Sequence, residues 1–173
     1  PRSGNPVIGK FTWKASAQSV RHQVAAAFHH DMGLTTSLFP RKNCTESQKE
    51  CLNAPRGRDP LDVTDERLDA VAFYVNHLRL PKPSANPKGK ALFGQIGCTS
   101  CHTSTVKLAN GKTVEPYSDL LLHDMGEELS DGRREFDADG REWRTAPLWG
   151  IGKRTLILNQ RNYLHDGRAR TIE

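Results

Sequence analysis

Lys88-Gly89-Lys90-Ala91-Leu92-Phe93-Gly94-Gln95-Ile96-Gly97-Cys98-Thr99-Ser100-Cys101-His102 is the stretch of this 173-residue chain from which the rest is best read. Its last five residues form a C-x-x-C-H motif. Two thiols at that spacing reach adjacent vinyl groups of one haem, and the following histidine turns under the ring to bind iron from the proximal side. Each fixed position has a separate task, so the motif is specific. The residues before it read as a short helix, Lys88 to Ile96, whose Phe93 is placed to pack on a ring edge. The expectation is one covalently attached haem c, held by Cys98, Cys101 and His102.

Other uses of a close cysteine pair fit less well. A thioredoxin-like dithiol sits in a βαβ pattern, and none surrounds the motif. A zinc site needs a second C-x-x-C or an H-x-x-x-H, and neither is present. The opposite iron ligand is less determined. Of the two methionines, Met32 and Met125, Met125 follows the proximal histidine by 23 residues. A thioether there raises the reduction potential and favours electron transfer. Ordinary packing is the alternative for Met125, and His123 and His165 compete for the same role. Arg141, Arg144 and Arg168 lie where a guanidinium could neutralise haem propionates, or they are solvated surface charges. Trp143 and Trp149 bracket the Arg144 segment and read as core rather than electron relays, with Trp149 a candidate for haem binding.

Composition bounds the rest. Hydrophobic residues make up 36% and aromatics 7%, a thin supply for a core at this length unless a large apolar cofactor completes it. The formal charge of +5 is spread among interleaved acidic and basic residues. No basic run with aromatics indicates a nucleic-acid groove, so no nucleic-acid partner is expected. No run of about 18 apolar residues is present, so a membrane-spanning helix is not expected. The chain starts at Pro1 rather than a methionine and reads as processed or partial. Cys44 and Cys51 have no companion ligands, and a short disulfide in an oxidising compartment is expected, with two free thiols as the alternative.

Along the chain, a first helix is expected from about Ser16 to Met32, with Val20, Val24, Ala27 and Phe28 on one face and Gly33 as its cap. Thr45 and Gln48 make a capping box for a short helix through Cys44–Cys51. A second long helix is expected from Thr64 to Leu80, with Thr64 as N-cap, Asp65 and Glu66 at its positive end and Pro81 as its stop. Its apolar stripe is Leu68, Val71, Ala72, Val75 and Leu78. Residues 81–87, rich in proline, read as a stiff linker between two domains, 1–80 and 88–173. After residue 105 no segment alternates over a strand's length. The expected class is mainly α, with cytochrome c-like haem domains and long irregular loops.

Several blocks then carry a resemblance. Pro116-Tyr117-Ser118-Asp119-Leu120-Leu121-Leu122-His123-Asp124-Met125-Gly126, Gly140-Arg141-Glu142-Trp143-Arg144-Thr145-Ala146-Pro147-Leu148-Trp149-Gly150 and Leu164-His165-Asp166-Gly167-Arg168-Ala169-Arg170-Thr171 resemble the bacterial di-haem oxidoreductases described as thiol oxidoreductases, relatives of the di-haem cytochrome c peroxidases. Gly9 to Ala15 and Val24 to Gly33 fit the same family. Its members carry two C-x-x-C-H motifs and continue beyond the Leu164-His165-Asp166-Gly167 block, whereas this chain has one motif and stops at Glu173. The resemblance implies that residues 1–80 are the later part of a first cytochrome c-like domain. Residues 88–173 then begin a second domain bearing the electron-accepting haem. Three roles follow as expectations: electron transfer in the periplasm or otherwise outside the cytoplasm, with a redox protein or larger redox complex as partner; peroxidase-like reduction of peroxide; or a haem-bearing structural subunit of an assembly.

Overall fold

The computed structural model describes residues 6–57, 60–80, 85–153, 159 and 161–171. By contact the chain divides into two compact units, Pro1–Leu78 and Arg79–Glu173.

The first unit is built on two helices. α1 (Val20–His30) starts where Ser19, in extended conformation, accepts the His22 N–H on its side chain at 3.1 Å. Its apolar stripe begins at Val20, the first helical residue, and one turn on Val24 and Ala25 are buried. Gly33 follows the helix with φ +71°, the left-handed geometry that a Cβ would strain. α2 (Lys49–Asn53) is a short helix that starts after Gln48, which makes no side-chain cap bond. Of the expected box only one half forms, the Gln48 side chain accepting the Thr45 N–H at 2.8 Å, while the Thr45 hydroxyl pairs with Ser47. α3 (Asp65–Asn76) begins after Thr64, whose hydroxyl faces the Arg67 N–H, with Asp65 and Glu66 in its first turn. It ends four residues before the expected stop at Leu80, closing on His77 rather than running to the proline. α1 packs against α3, and the core consists of Val24, Ala25, Val63, Leu68 and Ala72, flanked by Val20, Phe28, Leu34 and Phe39. Burying a leucine such as Leu68 contributes roughly 1.5–3 kcal/mol. Of the expected α3 stripe only Leu68 and Ala72 are buried; Val71, Val75 and Leu78 stay exposed.

A loop lock holds this core closed. Thr35 gives both its N–H and its hydroxyl to one oxygen of Asp62, at 3.0 and 2.7 Å. The Asp62 N–H returns a bond to the Thr35 hydroxyl at 3.1 Å. Arg21 spans Asp65 and Asp69, one turn apart on α3, at 2.5 and 2.6 Å. Cys44 and Cys51 are joined by a disulfide in this structure, their Cα atoms 6.0 Å apart.

The second unit corrects the expectation of a mainly α fold. Among its described residues the longest helix is α4 (Pro87–Gln95), capped by the Asn86 side chain on the Gly89 N–H at 2.9 Å. The other described residues are mostly loop, tight turns and two small antiparallel sheets. β1 (Val106–Lys107) pairs with β2 (Thr113–Val114). β3 (Leu122–Asp124) pairs with β4 (Glu142–Arg144), with His123 opposite Trp143. Among the described residues the named α-helices are 11, 5, 12 and 9 residues long and the strands two or three, so the architecture is mixed and irregular. Strands this short carry one or two alternations, too few to be distinguished from loop by pattern. Among the described residues no helix is long and apolar enough to cross a membrane.

Candidate functional site

The C-x-x-C-H motif lies at the end of α4. Gly97 takes φ +84°, a left-handed turn that releases the chain from the helix, and a single 3-10 turn, Cys98–Ser100, follows. The Cys101 N–H bonds back to the Cys98 carbonyl, and so does the His102 N–H at 2.9 Å. This coil brings the two cysteines to one turn while leaving both thiols free.

His102 is oriented from outside the motif. Its Nδ1 lies 2.7 Å from the Tyr117 carbonyl oxygen. A carbonyl only accepts, so Nδ1 carries the hydrogen and Nε2 keeps its lone pair for a metal. The bond also raises the ligand's basicity, as outer partners of metal-bound imidazoles do. Tyr117 sits at φ 51°, unusual for a residue with a side chain; holding it there costs on the order of 1–3 kcal/mol. Phe93 from α4 closes this corner, edge-on to Tyr117 at 5.6 Å and to His102 at 6.3 Å between ring centres.

The segment around Tyr117 is pinned on both sides. Towards the motif, the Ser118 N–H bonds to the Thr103 carbonyl at 3.0 Å and the Asp119 N–H to the Cys101 carbonyl at 2.9 Å. On the other side, the fully buried Ser118 donates its hydroxyl to the Thr145 carbonyl at 2.7 Å. Leu148 N–H reaches the Pro116 carbonyl at 3.0 Å, and the Trp149 indole N–H reaches the Glu115 carbonyl at 2.7 Å. Trp149 is therefore a strut under the motif, with its ring partly exposed.

The expected residues for the opposite ligand separate. His123 has both nitrogens engaged: Nε2 on the Asp119 carboxylate at 2.8 Å, and Nδ1 against the Cys101 sulfur at 3.9 Å. His165 stacks on the Trp143 indole, ring centres 3.5 Å apart. Met125 follows β3, its N–H on the Arg141 carbonyl at 2.9 Å, and the residue is 47% exposed. Burial works to raise the Asp119 carboxyl's pKa, yet bonds from the Leu121 N–H, His123 and the Thr145 hydroxyl outweigh it and hold the group below the ordinary carboxylate range.

Of the three arginines, Arg141 pairs with Asp124 and Asp139, and Arg168 with Asp166 and the Glu128 carbonyl. Arg144 lies at the end of β4 with Nη1 3.3 Å from the Thr145 carbonyl. Burial pulls its pKa down, though a guanidinium stays charged at any physiological pH.

The donor set and its surroundings fit a haem. Two free thiols and an imidazole with its Nε2 lone pair available stand within one turn. Leu92, Ile96, Leu120, Leu121 and Met125 are all more than a third exposed. Ala138 is the one hydrophobic residue of the second unit that is buried among the described residues, so the unit offers apolar surface that a large macrocycle would cover. Sequence reading missed Tyr117 and Asp119 as site residues. The signal was present in the Pro116–Gly126 block, but nothing in a tyrosine's identity announces a backbone carbonyl used for orientation.

A family model described as "di-haem oxidoreductase, putative peroxidase" matches residues 2–173 of the chain. No curated protein and no solved structure matches it at a significant level.

Proposed function

We propose that this chain, which belongs to the di-haem oxidoreductase family, holds one haem c on Cys98, Cys101 and His102 and passes single electrons through it. A redox role and a haem cofactor come with the family; the single covalent haem and electron transfer are the finer reading. The observation that carries it is the His102 Nδ1 bond to the Tyr117 carbonyl beside two free thiols. That combination prepares one nitrogen for iron and two sulfurs for the ring edge.

When bound, haem supplies a one-electron iron couple whose potential follows its axial ligands and burial. The chain's own residues do the rest. Cys98 and Cys101 tether the ring, and the Tyr117 carbonyl keeps the His102 imidazole in one tautomer and one plane. Phe93 packs against that imidazole and limits its rotation. Arg144 offers a partly desolvated cation to a propionate. Met125 would supply the second ligand to the iron, with His165 as the alternative. Within this reading, residues 1–80 are the later part of a first cytochrome c-like domain and residues 88–173 the haem-binding one. The Cys44–Cys51 disulfide and covalent haem both suit an oxidising compartment, so we place the protein in the periplasm or otherwise outside the cytoplasm. Its partner is then another redox protein or a larger redox complex.

The family description and the exposure of Met125 favour one second reading, peroxide reduction at an open iron position. Visible spectra of the oxidised and reduced chain, with a pyridine haemochrome count, separate the two. One haem per chain, low-spin, with the far-red band of methionine ligation and no response to carbon monoxide is the expected result. A high-spin iron that turns over peroxide with a reduced cytochrome donor would move the assignment to the peroxidase. Absence of covalent haem would sink both.

A further inference from the structure

The two thiols of the motif are not held alike. The sulfur of Cys101 contacts His123 Nδ1 at 3.9 Å, His123 Nε2 bonds to the Asp119 carboxylate at 2.8 Å, and the Asp119 N–H bonds to the Cys101 carbonyl at 2.9 Å. These contacts close a ring that starts and ends on Cys101 and fixes both its backbone and its sulfur. Asp119 is itself locked, since its second oxygen accepts the Leu121 N–H at 2.9 Å and only 16% of its side chain is exposed. The polarity of the ring follows from its chemistry. A carboxylate accepts, so His123 donates from Nε2 and presents the Nδ1 lone pair to the Cys101 S–H. Cys98 has no such partner among the described residues.

We infer that Asp119 and His123 are positioning residues for haem attachment, aiming the Cys101 sulfur at its vinyl group while Cys98 attaches without guidance. The inference rests on the haem reading above and extends it to residues outside the motif. The chemistry they serve is an addition: the thiol S–H crosses the vinyl C=C, sulfur bonding to the inner carbon and hydrogen to the terminal one, with no electron gained or lost. A free thiol samples several χ1 wells, and one aimed correctly needs no further ordering before that bond forms.

The test is to produce the full chain with a haem-ligating maturation system and map each cysteine by mass spectrometry after digestion. Asp119→Asn and His123→Ala are compared with the wild type, and the pyridine haemochrome band counts saturated vinyl groups independently. The expected result is two thioethers in the wild type. In both variants, chains linked at Cys98 with Cys101 free should rise on the order of tenfold, the scale on which outer partners of metal sites act. His123→Gln, which can still accept the S–H, should restore part of the Cys101 linkage. A loss of fold would lower both linkages together, so the ratio between them is the quantity read. Two thioethers in both variants, or equal loss at the two cysteines, overturns the inference and leaves the haem assignment standing. A wild type carrying no covalent haem overturns both.

Discussion

At the scale of single residues, the structure is decided by a few fully buried polar groups as much as by its apolar ones. Ser118 is 0% exposed, donates to the Thr145 carbonyl and accepts the Leu120 N–H. Ser118→Ala leaves the Leu120 N–H unpaired and the Thr145 carbonyl with only the longer Arg144 bond, and should destabilise the second unit by about 1–3 kcal/mol in denaturant titrations. A smaller loss would show that water replaces the hydroxyl. In the first unit His29 is 9% exposed and stacked on Phe39 at 5.0 Å, with Nδ1 lacking a partner. Burial is the main force lowering its pKa, the neighbouring His30 charge adds to it, and a Leu34 backbone bond opposes both. The unfolded chain then holds a proton that the folded chain does not, so stability rises with pH through this window. Stability is complete above the ordinary histidine value of about 6.5 and falls as pH drops below it, until the folded group itself is protonated. Thermal melts between pH 8 and 5 should show that fall, and His29→Phe should flatten it. His22, also lowered by burial, adds a slope in the same direction that the variant keeps. The motif was legible at this scale because its chemistry resides in side chains at fixed spacing. Tyr117 was not, because its contribution is a backbone carbonyl.

At the scale of elements, local signals worked where a helix end is set by its own side chains. Thr64 caps α3 as read from the sequence, and the structure adds Ser19 as the cap of α1 and Asn86 as the cap of α4. Ser19→Ala should therefore cost about 1 kcal/mol of the first unit's stability, read as a shift in the denaturation midpoint with an unchanged slope. Leu68→Ala, in the fully buried position where α3 meets α1, should cost about 2–5 kcal/mol. If Leu68→Ala cost no more than Ser19→Ala, the α1–α3 contact would not be the core of this unit. Helix lengths were less legible. The stripe predicted through Leu78 is apolar on the page, yet α3 stops at Asn76 because the His77 ring turns back, Nδ1 at 2.7 Å from the Phe73 carbonyl and stacked on its ring. The sheets were not legible at all. β3 and β4 pair across seventeen intervening residues, and their register is set by backbone bonds such as Met125 N–H to the Arg141 carbonyl.

For the whole molecule, the thin apolar supply is distributed unevenly. The described core lies in the first unit, while in the second Leu92, Ile96, Leu120, Leu121, Phe136 and Trp149 are exposed. A haem that completes the second unit should cover such surface. The apo chain is then expected to bind the dye ANS strongly, and the haem-ligated chain to lose most of that signal. Ligation should also slow hydrogen exchange at the amides of Ser118, Asp119, Thr145 and Leu148, which tie the two sides of the site together. Equal dye binding with and without haem would count against the macrocycle as this unit's missing core.

By itself the sequence determined which atoms are available: two thiols and an imidazole in one turn, a helix cap at Thr64, and the blocks that place the chain in its family. Those features depend on residues close together in the chain, where spacing and side-chain chemistry suffice. Tertiary structure alone decided which tautomer His102 adopts, which of the two thiols is held, and that His123 is engaged while Met125 is half-exposed. Each of these depends on contacts between residues 15 to 22 positions apart, made in part through backbone groups that every sequence possesses. Only folding selects which of those identical groups meet.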